Sequence, residues 1–333
     1  MNKIFLQKKK FKYYLKNSLF LLIPRFFYRI RINYELKKIT MYNTDYLNSR
    51  VNYYNKVTNN FQIGEDAVSI NKILNMQIKT LRARIIEKKA IKKRTTYFFD
   101  LYNYLSYFPS FFKVNFKFGD ITESFSNPVI VKSRPINDNQ NSVLMKLNKV
   151  RHFYFLDDKK RFIEKKNMAV WRGNSSNSKQ RINFIKKYYD VSIFNIGQHN
   201  PKVNEPWFKG YLPIQEQLKY KFIFCIEGAD TATNIKWVMS SNSICVMPKP
   251  KYETWFMEGK LIKDFHYLEI ADDFSNAEDK INFYIENVEK SLKIIQNAKK
   301  YVHQFKDPKL EKLISLLVLN KFFKKSNQIK NVY

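Results

Sequence analysis

Short apolar runs alternate with segments of helical period through the second half of the chain. Met168–Trp171, Val191–Ile196 and Phe222–Ile226 are apolar runs; between them Lys179–Tyr189 places Ile182 and Ile185 on one helical face, and Pro213–Tyr220 reads as a short helix. Phe222–Ile226 is too short for a helix and too continuous for a strand with one wet face, so it suits a parallel strand buried on both faces. Glu227-Gly228-Ala229-Asp230-Thr231 follows as a polar turn, Thr233 or Asn234 is positioned to cap a helix with an apolar face over Ile235–Met239, and Ser243–Met247 re-enters the sheet. The alternation predicts an α/β chain with a parallel sheet. In such sheets ligands bind beyond the carboxyl ends of the strands, and a helix start offers unpaired N–H groups to a phosphate. Glu227–Asn234 is therefore an expected binding segment.

The first half is less regular. Ile70, Ile73, Leu74, Ile78, Leu81, Ile85 and Ile86 recur at helical spacing within Ser69–Lys93, a helix expected to cover one face of an N-terminal sheet. Tyr97–Phe112 has no settled type, although Pro109 ends any helix there. Val114–Phe118 reads as a strand ending at Gly119-Asp120, and Val129–Val131 as another that runs into Lys132-Ser133-Arg134-Pro135. Ile136–Val150 reads as loop and helix, and Asp157–Asn167 as a charged connector between domains. Ser275 with Glu278 forms a capping-box pattern that opens a helix with Ile281, Tyr284, Ile285, Val288, Leu292 and Ile295 inward. Leu310–Phe323 is a last apolar helix. The expected division is 1–40 as a basic aromatic segment, 41–160 and 161–308 as two domains, and 309–333 as a C-terminal helix and tail.

Composition narrows this picture. With 333 residues and 44% apolar content, two cores are favoured over one, since single cores stop growing near about 250 residues. Few glycines and high aromatic content exclude a fibrous or disordered chain. Cys225 and Cys245 sit among apolar neighbours and read as buried thiols in a reducing compartment. His152, His199, His266 and His303 lack metal-ligand spacing, and Asp157-Asp158 and Asp272-Asp273 read as solvated turns, so no metal site is expected. A net charge of +31 attracts polyanions, which includes nucleic acid, anionic lipid and phosphorylated glycolipid.

At the N-terminus, Leu19–Ile23, Pro24 and a cluster of arginines among aromatics fall short of the roughly 20 apolar residues of a bilayer span, and no small-residue cleavage site follows. One reading puts this segment on an anionic membrane, with Phe20, Phe26, Phe27 and Tyr28 inserted and Lys8, Lys9, Lys10 and Arg25 facing phosphates. The other docks it as a helix on the domain behind it.

Phe222–Ile270 also resembles the family 90 glycosyltransferases, whose bacterial lipopolysaccharide branch looks closest. The likeness rests on the strand ending in a polar-Gly turn, Asn234-x-Lys236, the Ser240–Ser243 turn, Tyr252-Glu253-Thr254-Trp255-Phe256 and His266-Tyr267, and it extends over Val114–Phe305. The resemblance implies a GT-B arrangement of two Rossmann-like domains facing a cleft, inverting transfer, and a nucleotide sugar held mainly by the second domain. It matches Asp120 to the family's catalytic base, with Glu123 as the fallback. Trp171-Arg172-Gly173-Asn174-Ser175-Ser176 matches an aromatic-Arg-Gly donor loop, where a guanidinium fork grips diphosphate and serine hydroxyls add donors. Arg181 is a displaced counterpart of the family's second arginine. Glu227, Gly228, Asp230, Thr231, Ala232, Thr233, Asn234 and Lys236 face the nucleotide on this reading, Glu253 accepts from sugar or ribose hydroxyls, and Lys132, Ser133 and Arg134 contact the acceptor.

The resulting expectation is a UDP-glucose- or UDP-galactose-dependent hexosyltransferase acting on the lipopolysaccharide core. It needs neither metal nor cofactor, and it works in the cytoplasm at the inner face of the inner membrane. Protein O-glucosylation is the enzymatic alternative, and the absence of a signal peptide and of a disulfide set counts against it. A basic nucleic-acid-binding protein is the alternative from another class; the charge is spread along the chain rather than gathered in a module, so no nucleic-acid partner is expected.

Overall fold

The computed structural model describes residues 3–77, 95–175, 178–200 and 205–329, with the side chains of 3–7 left aside. The chain forms two compact units, Lys9–Val150 with Asp307–Tyr333, and Arg151–Lys306 with Met1–Lys8. The second unit thus begins ahead of the Asp157–Asn167 connector, and the last helix belongs to the first unit.

The second unit is built on a five-stranded, wholly parallel sheet in the order Leu268–Glu269, Ile244–Met247, Tyr220–Phe224, Lys166–Gly173, Phe194–Gln198. Numbered along the chain, that order is 5-4-3-1-2, a doubly wound arrangement whose switch point falls between the first and third strands. Tyr220–Phe224 is buried at all its positions, Lys221 included, so the central strand lies two residues ahead of the expected run Phe222–Ile226 while keeping both faces covered. Its neighbours interlock: Phe184 of the helix Lys179–Tyr188 packs edge-on against Trp171, Tyr188, Phe224 and Phe274. Each fully buried side chain of this kind contributes about 1.5–3 kcal/mol. Cys225 and Cys245 are free thiols buried on adjacent strands.

Two local expectations are overturned. Ser275 does not cap a helix: its hydroxyl donates to Asp273 Oδ1 at 2.8 Å, and the helix Ala277–Glu286 starts at Asn276, whose side chain accepts from Ala271 N instead. The expected single helix also breaks at Asn287 before Val288–His303, which turns the register and leaves Leu292 45% exposed. In the first unit, Ser142–Leu144 is a strand rather than loop or helix. It joins Phe116–Lys117 and Val129–Val131 in a three-stranded parallel sheet. The Val114–Phe118 run is divided, because Lys113–Val114 pairs with Val68–Ser69 in a separate antiparallel ladder. Tyr97–Phe112 resolves into the helix Thr95–Leu105, and residues 70–77 are helical, with the rest of the Ser69–Lys93 expectation outside the described residues.

The last helix, Pro308–Lys325, is capped by Asp307, which accepts from Lys309 N and Leu310 N, and carries proline in its first turn. It closes the first unit through a buried charge cluster, in which Glu311 accepts from Arg50 at 2.8 Å and from Lys146 at 2.6 Å. Glu311→Ala strands two cations in the core, so the unfolding free energy should fall by about 3–5 kcal/mol, read as a lower denaturant midpoint in urea melts.

Candidate active site

At the switch point the loops after the first and third strands diverge and leave a cleft of about 430 Å³ within the second unit. Its wall contains Arg172, Gly173, Arg181, Thr233 and Asn234, all expected from the sequence, together with Arg151, His199, Tyr211, Gln217 and Trp237, which were not. Arg151, Gln217 and Trp237 sit on short helices and His199 and Tyr211 in loops, where nothing in the local pattern says which way a side chain faces; His199, dismissed for lack of metal-ligand spacing, enters because it follows the strand next to Arg172.

Arg172 lies at the end of the Lys166–Gly173 strand and donates to Trp171 O at 3.2 Å and Asn195 Oδ1 at 2.8 Å, both neutral acceptors. Its Nε is buried and meets no acceptor among the described residues. Burial, partly opposed by Tyr220, lowers the proton affinity of this guanidinium, and its charge adds to burial in lowering the pKa values of His199 and Lys209. A half-buried cation without a carboxylate partner is under-solvated, and an anion entering the cleft relieves it. His199 presents a buried Nδ1 that likewise has no partner among the described residues.

Arg181 reaches the same cleft from the helix Lys179–Tyr188. It donates to Ile226 O through Nε at 3.2 Å and Nη2 at 2.9 Å, and to Asn174 O at 2.9 Å, with its guanidinium 5.8 Å from the Trp171 ring centroid. The fit depends on Gly228, because a Cβ there would stand 2.9 Å from Arg181 Cζ. Arg172 depends in the same way on Gly197, where a Cβ would come within 2.6 Å of Nη1.

The remaining expected residues fall in different places. Ser175 is buried and its hydroxyl donates to Gln198 Oε1, while Ser176 lies outside the described residues. Asp230, Thr231 and Ala232 are buried in the turn rather than lining the cleft. Asn234 donates its amide to Phe224 O at 2.9 Å instead of capping a helix, and the helix that follows, Ile235–Met239, has only five residues. So short a helix supplies little dipole, and anion binding falls to the side-chain cations. Lys236 is not one of them: its ammonium is fully buried, 2.5 Å from Glu258 Oε1 and over the Phe256 ring. Burial makes that pair structural. Glu253 is buried in the short strand Tyr252–Thr254, away from the cleft.

Glu227 accepts from Lys251 N at 3.2 Å and Tyr252 N at 3.3 Å, tying the central turn to the next loop. Burial pushes its pKa up to about 7, against the lowering effect of those two N–H groups.

In the first unit, Asp120 follows Gly119, whose φ of +133° only glycine adopts with ease. The Asp120 side chain is 41% exposed and accepts at 2.5 Å from Lys132 Nζ, which is 2% exposed. Lys132 therefore positions Asp120. Ser133 Oγ accepts from Ile121 N at 3.1 Å, fixing the same turn. Arg134 is fully buried, with Nη1 2.6 Å from Ser142 O and Nη2 2.7 Å from Tyr53 O; its guanidinium braces main chain, a correction to its expected contact with the acceptor. Glu123 pairs with Lys117 at the surface.

A two-unit α/β chain whose parallel sheet opens a cationic cleft at its switch point suits a transferase with an anionic leaving group. The profile of glycosyl transferase family 90 matches residues 146–310, nearly the whole second unit, and the chain belongs to that family. It is a glycosyltransferase. O-glucosyltransferase LpsA of Dichelobacter nodosus is 34% identical over 322 residues, which cover 95% of this chain and 96% of that protein. Uncharacterized protein 179R of Invertebrate iridescent virus 6 is 28% identical over 149 residues, 42% of this chain and 12% of that protein.

Gly228→Ala meets only the flexible end of Arg181, so it should leave the melting temperature within a few degrees while weakening inorganic diphosphate binding about tenfold by calorimetry, the loss expected when one charge-assisted contact is displaced. Glu227 has a raised pKa in the folded chain, so the stability it contributes is complete below its ordinary value of 4.5 and is lost as pH rises through about 7. Glu227→Gln keeps the acceptor oxygen without the titration. Melts should show it level with the wild type near pH 4.5 and more stable by about 3 kcal/mol near pH 8.

Proposed function

We propose that the chain is an inverting hexosyltransferase of GT-B type that moves glucose or galactose from a UDP-sugar to the core oligosaccharide of lipopolysaccharide at the cytoplasmic face of the inner membrane. The observation that carries the donor half of this reading is the second unit's cleft, where Arg172 and Arg181 converge with Arg151 around a space that a diphosphate fits. A nucleotide diphosphate gains charge as the glycosidic bond breaks, and fixed guanidinium groups in a partly dry cleft stabilise that charge more than they stabilise the ground state. The cationic side chains do this without a metal ion. The name of the D. nodosus relative, which covers nearly its full length, favours glucose as the sugar.

Asp120 is the proposed base. It removes the proton from the acceptor hydroxyl as that oxygen attacks the anomeric carbon from the face opposite the departing UDP, which inverts the centre. Lys132 fixes the carboxylate while leaving it partly exposed for an acceptor. The +31 charge suits a phosphorylated acceptor held at an anionic membrane.

A UDP-release assay with UDP-glucose, UDP-galactose and truncated lipopolysaccharide tests the reading. Asp120→Asn should lower turnover at least about 100-fold with UDP binding retained, as removal of a general base requires. Unchanged turnover removes Asp120 from the mechanism, and absence of UDP release with any sugar removes the reading itself.

A further inference from the structure

The helix Lys3–Leu22 is mounted in an unusual sense. A helix on a water-soluble domain turns its apolar stripe inward, yet here the inward contacts are polar and aromatic, with Tyr13 and Tyr14 edge-on to Phe99, and much of the aliphatic surface is left outside. Tyr13 donates to Asp100 Oδ1 at 2.7 Å, and Asn17, 5% exposed, accepts from Asn103 Nδ2 at 2.7 Å. Three leucines point away while Leu21 is half-buried: Leu15 is 50%, Leu19 54% and Leu22 77% exposed, and Phe26 and Phe27 beyond Pro24 are 64% and 52% exposed. Leu15, Leu19 and Leu22 recur at i, i+4 and i+7, one continuous face.

Charge surrounds this face with one sign. The first 34 residues hold nine Lys/Arg and no Asp/Glu. Lys12 and Lys16 flank the stripe and, with Leu15, Leu19, Tyr104 and Tyr107, line a groove of about 660 Å³ in the first unit. Arg29 and Arg31 are exposed beside the phenylalanines. The arrangement differs from the one expected on sequence. Phe20 and Tyr28 pack on each other at 4.4 Å, and Arg25 donates to Phe108 O at 2.9 Å, so these three anchor the segment to its own unit. No described helix is long and apolar enough to cross a membrane.

We infer that the face formed by Leu15, Leu19, Leu22, Phe26 and Phe27, rimmed by Lys12, Lys16, Arg29 and Arg31, docks on an anionic phospholipid bilayer. The apolar side chains enter the headgroup and acyl boundary while the cations contact lipid phosphates. Insertion of leucine and phenylalanine supplies affinity that salt does not screen, and the basic rim supplies selectivity for anionic lipid. This deepens the inner-membrane placement proposed above. Its test reads lipid binding rather than turnover, so the two fail separately.

The full chain is sedimented with phosphatidylcholine vesicles, with and without about 30% phosphatidylglycerol, at low salt and at about 0.5 M salt. Binding is expected to the anionic vesicles only, reduced but not abolished by salt. Leu19→Ser/Leu22→Ser/Phe26→Ser/Phe27→Ser should lower partitioning at least about tenfold. Lys12→Gln/Lys16→Gln should weaken it several-fold, roughly the loss of two surface charges near anionic lipid. The replaced side chains are exposed, so both variants should keep the wild-type melting temperature and the wild-type UDP release with a water-soluble acceptor fragment. Equal binding to neutral vesicles, unchanged binding by the four-serine variant, or a dimer in sedimentation velocity that this variant dissociates would each overturn the assignment; the dimer would give the face to a second copy of the chain.

Discussion

A half-buried guanidinium held, among the described residues, by neutral oxygen alone is the constraint on which the second unit turns. Arg172 bonds Trp171 O and Asn195 Oδ1 and keeps a buried Nε without an acceptor among the described residues. Burial lowers the proton affinity of His199 and Lys209, and the Arg172 charge adds to it. Replacing such a cation with an apolar residue would relieve desolvation, which makes its presence a cost to stability. The parallel sheet makes the arrangement tolerable by placing that charge at the carboxyl edge of a strand beside an open cleft.

Close packing then sets where the cations lie. Gly197 and Gly228 bring backbone so near Arg172 and Arg181 that a methyl group would displace either guanidinium. Arg181 also donates to Ile226 O, just beyond the central strand, which ties the arginine to the start of the turn. By contrast Lys236 and Glu258 neutralise each other in full burial. Lys236 is fully buried and Arg172 and Arg181 are half-buried, and the partners differ as well: a carboxylate neutralises the charge, whereas carbonyl and amide oxygens leave it uncompensated.

The first unit solves a different problem. Glu311 of the last helix meets Arg50 and Lys146 in its core, so a segment far away in sequence completes the unit. Around Asp120 the same device appears in milder form, with a buried Lys132 ammonium fixing a carboxylate that remains partly exposed. A paired ion thus serves closure in one place and the orientation of a part-exposed carboxylate in the other.

Sequence by itself determined the α/β class, the presence of a buried central strand, expected at Phe222–Ile226 and found at Tyr220–Phe224, the turn that follows it, and the loop and helix that carry Arg172 and Arg181, because strand and helix periods are local and the family's aromatic-Arg-Gly pattern is contiguous. Only the tertiary structure decided that Lys236 and Arg134 are braces and that His199, Tyr211 and Trp237 join the cleft, since partners of a buried charge come from distant segments. It also decided that Ser275 caps nothing and that the N-terminal helix turns three leucines outward. In each case a competing contact, Asp273 for Ser275 and Asp100 and Asn103 for Tyr13 and Asn17, outweighed the local preference.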